Sequence, residues 1–281
     1  MKALLPFLVI VFLLSCPSGS SAQSIKLMLE KGDRFEITTT SKNNVSSKLM
    51  GVDSDYAVNS TFVEAIEVVR TSDAEYELSS TVTRIAVNLK SKEQNGSYDS
   101  TRNDNEPKFA EEFGKTPGKV RSLTVNANGK ITKEVPDPTA EASSAITFFP
   151  ASSFVLGMLR ESLIGKEMTV KKSWETTSSD KIGNTTTTTK GTYSVIAIED
   201  NVATVSFVGT QQVNGSLTNS GVTFVTSGSN KLNDQLKIDM ISGIVLETVS
   251  TVEELTAIDV DCLVIPSTSK SIVTSKVRVL R

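Results

Sequence analysis

Ser122-Leu123-Thr124-Val125-Asn126-Ala127-Asn128-Gly129-Lys130-Ile131-Thr132-Lys133-Glu134-Val135 is the stretch whose reading decides the fold. Leu123 and Val125 alternate with Ser122 and Thr124, the period-2 pattern of a strand with one buried face. Asn128-Gly129 follows, and both residue types tolerate the positive φ of a tight hairpin turn. The same grammar extends in both directions. Phe35-Ile37-Thr39, Ile85-Val87-Leu89 and Leu236-Ile238-Met240 each alternate with polar neighbours, and Ser242-Gly243 predicts a second hairpin between 235–241 and 244–252. Tyr76-Leu78-Ser80-Val82 uses even positions where Ile85-Val87-Leu89 uses odd ones, so a bulge or bend is expected near Thr83-Arg84.

Composition agrees with pattern. The 281 residues include 30 Val and 32 Thr, and β-branched side chains pack well on a pleated surface. The expected fold class is mainly β with a minor α part: long antiparallel, curved sheets from two similar halves. One clear helical stretch interrupts them. Beyond Pro136 and Pro138, residues 139–149 lead to Pro150, and Phe154, Val155, Met158, Leu159 and Leu163 fall at helical spacing. Ser152 or Ser153 would cap this helix and Gly165 would end it. It is expected near 139–164, packed on the sheet, with a shorter helical turn at 106–114.

The chain divides accordingly. Residues 1–22 read as a signal peptide, with Lys2, an apolar run and the small residues Ser20-Ser21-Ala22 before Gln23. Cleavage between Ala22 and Gln23 is one processing route. Leu13-Leu14-Ser15-Cys16 resembles a lipobox, and acylation at Cys16 is the other. A first β-rich half over 23–136, a helical connector over 137–165 and a second β-rich half over 166–281 follow, and the two halves can equally form one continuous domain. Lys31-Gly32-Asp33-Arg34-Phe35-Glu36-Ile37 and Val170-Lys171-Lys172-Ser173-Trp174-Glu175 look alike, each a basic turn, an aromatic and a strand. Duplication and chance similarity both remain open.

Charge and residue usage exclude much. There is no histidine and the formal net charge is -3. A Ser-His-Asp triad and a His-ligated zinc site are therefore impossible, and no basic field gathers nucleic acid. Beyond Cys16 the only cysteine is Cys262, so the exported body carries no disulfide framework. Its alternating surroundings predict a buried strand position. No cofactor motif and no transmembrane helix in the processed chain is expected.

Leu29-Glu30-Lys31-Gly32-Asp33, the hairpin Phe113-Gly114-Lys115…Ser122–Ile131, the basic turn before Trp174 and the late Ile265-Pro266 form a recognisable set. On these residues the chain resembles a family of uncharacterised secreted or lipid-anchored proteins of Gram-negative bacteria, a domain of unknown function. The resemblance implies export and a β-rich body without naming an activity. Lys171-Lys172 stands where glycine is usual.

Candidate chemistry is sparse. Asp53-Ser54-Asp55 and Asn103-Asp104-Asn105-Glu106 carry oxygen ligands but lack the spacing of a calcium loop. Glu111-Glu112 and Glu253-Glu254 are sequence neighbours whose side chains point apart. No charge occurs from Asn201 to Asn230; that run reads as two central strands joined at Asn214-Gly215-Ser216, or as a neutral edge meeting a partner. The expectation is an exported, non-enzymatic protein of the cell envelope, periplasmic, outer-membrane associated or extracellular. It would bind an apolar ligand, a lipid or an envelope partner, with Phe148, Phe149, Phe154 and Met158 as candidate apolar contacts. A secreted hydrolase with a carboxylate pair and a surface adhesin are the competing readings.

Overall fold

A computed structural model describes residues 23–49, 52–92, 95–135, 157–182, 184–219, 222–260 and 263–280. Fourteen strands are present among them: β1 (Gln23–Ser24), β2 (Arg34–Leu49), β3 (Val52–Thr71), β4 (Glu75–Ser91), β5 (Asn95–Asp99), β6 (Val120–Asn126) and β7 (Ile131–Val135) in the first half. The second half supplies β8 (Glu167–Met168), β9 (Ser173–Ile182), β10 (Thr185–Glu199), β11 (Val202–Asn219), β12 (Val222–Asp239), β13 (Val245–Val260) and β14 (Leu263–Leu280). Twelve of them form one antiparallel sheet in the order β7-β6-β4-β3-β2-β14-β13-β12-β11-β10-β9, with β5 also on β4. The protein is mainly β. Strands of both halves share the sheet, joined where β2 pairs with β14.

The turns follow the local chemistry. Gly129 and Gly243 have φ of 79° and 75°, the conformation that the Asn128-Gly129 and Ser242-Gly243 hairpins require. The phase slip is real: Val63 pairs with Arg84 and Glu64 with Val82, leaving Thr83 as the extra residue of a bulge. A short helix, α1 (Pro107–Phe113), occupies the predicted 106–114 region. Lys171, where glycine was expected, takes φ of 72°, an uncommon conformation for a residue with a side chain.

Two sequence readings are corrected. Of the expected helix up to Leu163, the described residues keep helix only at Gly157 and Met158. Arg160 is extended (φ -132°, ψ 92°) and a 3-10 turn over Glu161–Leu163 follows. The apolar residues there are buried consecutively, Met158 and Leu159 at 0% and 2% exposure, because this strap is enclosed by the sheet and the N-terminal segment rather than lying as a one-sided lid. Residues 139–156 lie outside the described structure. The second correction concerns Asn214-Gly215-Ser216, which is no turn: β11 runs straight through it, pairing Asn214 with Ser227 and Gly215 with Thr226. Cross-strand pairing on both sides of β11 overrides the local turn propensity.

The core occupies one end of the strands. Phe35, Ile37, Ile66, Val68, Leu78, Leu123 and Val125 form one apolar cluster with Leu27, Leu29, Met158 and Leu159. Tyr193, Val195, Val205, Phe207, Leu236 and Ile238 form a second with Ile25, Leu163 and Met168. Ile25, Leu27 and Leu29 thus thread the core as a strip, tied down by hydrogen bonds from Ile25 N to Lys166 O and from Met28 N to Ser242 O. A third cluster packs Phe109 and Phe113 of α1 on Phe62, Ile85, Val87 and Tyr98.

Candidate functional site

The residues singled out from sequence fall as follows. Met158 is fully buried among Leu27, Phe35, Ile66 and Leu159. Phe148, Phe149 and Phe154, with Cys16, Ala22 and Cys262, lie outside the described residues. Gln23 pairs through its backbone with Met168.

The candidate carboxylates are engaged by neighbours. Asp55 accepts a hydrogen bond from Ser46 (2.7 Å), and Asp104 pairs with Arg102 (2.6 Å). Asn105 ties its own loop, accepting from the Asp99 amide (2.7 Å) and donating to the Asp99 carbonyl (2.8 Å). Glu253 and Glu254 lie on opposite faces of β13: Glu253 meets Lys270 (3.0 Å), while Glu254 accepts from Thr256 (2.7 Å) and Ser269 (3.0 Å). The shifted carboxylates move in one direction. A hydrogen bond from Arg84 holds Asp99 well below the usual carboxylate range, and Lys237 and Lys270 pull Glu247 and Glu253 down. A glycosidase acid needs the opposite shift.

One buried charge pair is structural. Glu64 on β3 and Arg121 on β6 pair directly, and Ser80 donates to Glu64 while accepting from Arg121 Nε (2.9 Å). Ser80 is 0% exposed, so no substrate reaches it. The trio sits between Ile66 of the first cluster and Phe62 of the third, replacing apolar packing there with a charge network in which Glu64 Oε2 finds no partner among the described residues.

Beyond that network the sheet continues as a different surface. Directly opposed residues in an antiparallel pair share a face. On the core-side face Thr189, Gln211, Asn230, Glu254, Ser269 and Val45 line up across six strands. Asn230 donates to Gln211 (2.9 Å), which donates to Thr189 (3.1 Å). The Asn230 Oδ1, although buried, finds no partner among the described residues. On the opposite face Lys231, Glu253, Lys270, Asn44, Ala57 and Lys90 form one row. Ser229, Leu255, Thr268, Ser46 and Asp55 form the next. These two rows line an open concavity of about 690 Å³. A second, of about 500 Å³, lies beside it near Lys42, Asn59 and Asn88. Sequence reasoning missed both because a row exists only once the register of six strands is known; Asp55, Glu253 and the Lys231 that bounds the uncharged run were singled out separately, with nothing local to join them.

No family model matches the chain, and no curated protein matches it. Among solved structures it is similar to an outer membrane channel from Pseudomonas putida F1, with 8% identity, TM-score 0.28 and coverage of 92% of this chain and 98% of that one. OpdQ of Pseudomonas aeruginosa gives 6% identity and TM-score 0.27, covering 90% and 100%. The β domain of the Bordetella autotransporter BrkA gives 8% and 0.22, covering 88% and 99%. Likenesses this distant carry no argument about this chain. A membrane-spanning barrel also needs a continuous apolar band facing lipid. Here the face opposite the core carries the row Lys237, Glu247 and Lys276, ion-paired at 2.8 and 3.4 Å.

Proposed function

We propose that this protein is an exported, non-enzymatic binding module of the cell envelope, whose sheet beyond the core serves as a platform for an envelope partner. One observation carries the reading. The strands run far past the apolar core, and their far ends form a polar surface with an open concavity of about 690 Å³. Stability alone does not call for such an extension, because it adds few buried apolar contacts. The leader over residues 1–22 and the family resemblance support export. Of the occupants expected from sequence, a lipid or apolar ligand is less well served, since Met158 is consumed by the core and the apolar lining of the concavity, Val45, Tyr56, Ala57 and Leu255, is interrupted by Lys, Glu, Asp, Asn, Ser and Thr.

The test uses the purified, processed chain. It is mixed with washed envelope fragments stripped of membrane by detergent, with vesicles of the extracted lipids, and with chromogenic glycosides and esters. Retention on the stripped fragments without turnover is expected. Turnover abolished by substituting a carboxylate would establish the hydrolase instead, and retention only on vesicles would restore the lipid carrier. Mass spectrometry of the native protein decides between Gln23 as first residue and an acylated Cys16.

A further inference from the structure

The chemistry of the larger concavity narrows its occupant, on the reading that the far sheet is a binding platform. We propose that it binds a neutral, hydroxyl-rich glycan chain.

The charges there nearly cancel. On that face Lys90, Lys231 and Lys270 stand with Asp55 and Glu253, and several are already committed, Glu253 to Lys270 at 3.0 Å and Asp55 to Ser46 at 2.7 Å. Such a surface has little net field with which to gather phosphate or sulfate polymers. Nor does it offer the continuous apolar lining that a lipid tail needs. A sugar hydroxyl both donates and accepts, and each matches a site that presents both functions closely spaced. Asn44 supplies an amide of both kinds beside Lys270 in one row, and Ser229 and Thr268 supply hydroxyls in the next. Between those two hydroxyls stands Leu255, 62% exposed. It gives the C–H face of a pyranose ring an apolar footing within a polar frame.

The shape favours a chain over a small molecule. The lining passes over β12, β13, β14, β2, β3 and β4, five interstrand spacings of about 4.8 Å, or about 24 Å end to end. Groups carried on a hydrogen-bonded sheet are held in register before the ligand arrives, which lowers the cost of ordering on binding.

Isothermal titration of the full processed chain tests this with four probes: chitohexaose, laminarihexaose, inorganic polyphosphate, and vesicles of phosphatidylethanolamine with phosphatidylglycerol. At least one neutral hexasaccharide is expected to bind, with an affinity that changes less than twofold between 50 and about 500 mM salt. Asn44→Ala and Leu255→Asp each weaken it by about tenfold, while the urea midpoint stays unchanged. Failure of both hexasaccharides to bind overturns the inference, as does binding that survives both substitutions, or tight polyphosphate binding that collapses with salt. Retention on stripped envelope fragments that free hexasaccharide does not compete away would remove the glycan and leave the platform standing. Loss of retention altogether would remove the platform itself.

Discussion

The two ends of one sheet differ more than its two halves do. On β3, alternate residues from Ser60 to Val68 are buried, whereas every position from Val52 to Tyr56 is exposed. On the core-side face of β12, Asp234, Leu236 and Ile238 are buried, while Gly228 and Thr226 nearer the opposite end are only half-buried. The strands are continuous, so backbone hydrogen bonding is the same at both ends; the difference is what covers the faces. At the core end the strip from Ile25 to Leu29 and the strap from Met158 to Met168 cover one face with apolar side chains. At the other end the ladder stands with polar side chains, and cross-strand pairs replace the core. Burial buys stability at one end and leaves the other free for contact.

Substitutions measure that contrast. Truncating Arg121 to Ala leaves Glu64 charged and buried, and the urea midpoint should report a loss of about 3–5 kcal/mol. A loss below about 1 kcal/mol would show that the pair contributes little to holding β3, β4 and β6 together. Leu236→Ala, at the centre of the second cluster, should cost about 2–5 kcal/mol, against about 0.5 kcal/mol or less for Leu255→Ala in the exposed row. Equal effects would erase the distinction between the ends.

Acid reveals a smaller contribution. Asp99 and Glu247 have lowered pKa values, through Arg84 and Lys237 respectively. Their contribution is complete above the ordinary carboxylate range near 4 and is lost as pH falls through the lowered folded values. Urea midpoints should therefore drop between about pH 5 and pH 2, and Asp99→Asn should flatten the slope. A slope unchanged by that substitution would assign the acid sensitivity elsewhere. Lys270→Ala breaks an exposed pair and should leave the urea midpoint nearly unchanged, with any small difference vanishing in high salt. Lys171→Gly relieves a positive φ and should raise stability by about 0.5 kcal/mol, the gain being limited by glycine's larger unfolded-state entropy.

Much of this was legible in the chain. Leu123, Val125 and Asn128-Gly129 specify their hairpin locally, and the phase change from Val82 to Ile85 marks the bulge at Thr83, because face alternation is a property of each strand. Asn214-Gly215-Ser216 misled for the complementary reason: its turn propensity is local, and pairing with β10 and β12 outweighs it. Helical spacing misled likewise over the described residues from Leu159 to Leu163, since a strap buried on several sides needs apolar residues without helical periodicity. The candidate site was the least legible part. Glu253 and Glu254 pointing apart follows from alternation, but their row partners Lys270, Ser269, Lys231 and Asn230 come from other strands.

By itself the sequence determined the strand-rich character, the turns at Gly129 and Gly243 and the exclusion of histidine chemistry. These follow from residue identity and from correlations within a few positions. Only the tertiary structure decided that β2 and β14, at the two ends of the described chain, lie side by side at the centre of a single sheet, that the core fills one end of it, and that Asn44, Leu255 and Lys270 meet across it. Those relations depend on register between distant strands, and register is set by the packing of a whole face, which no local stretch of sequence contains.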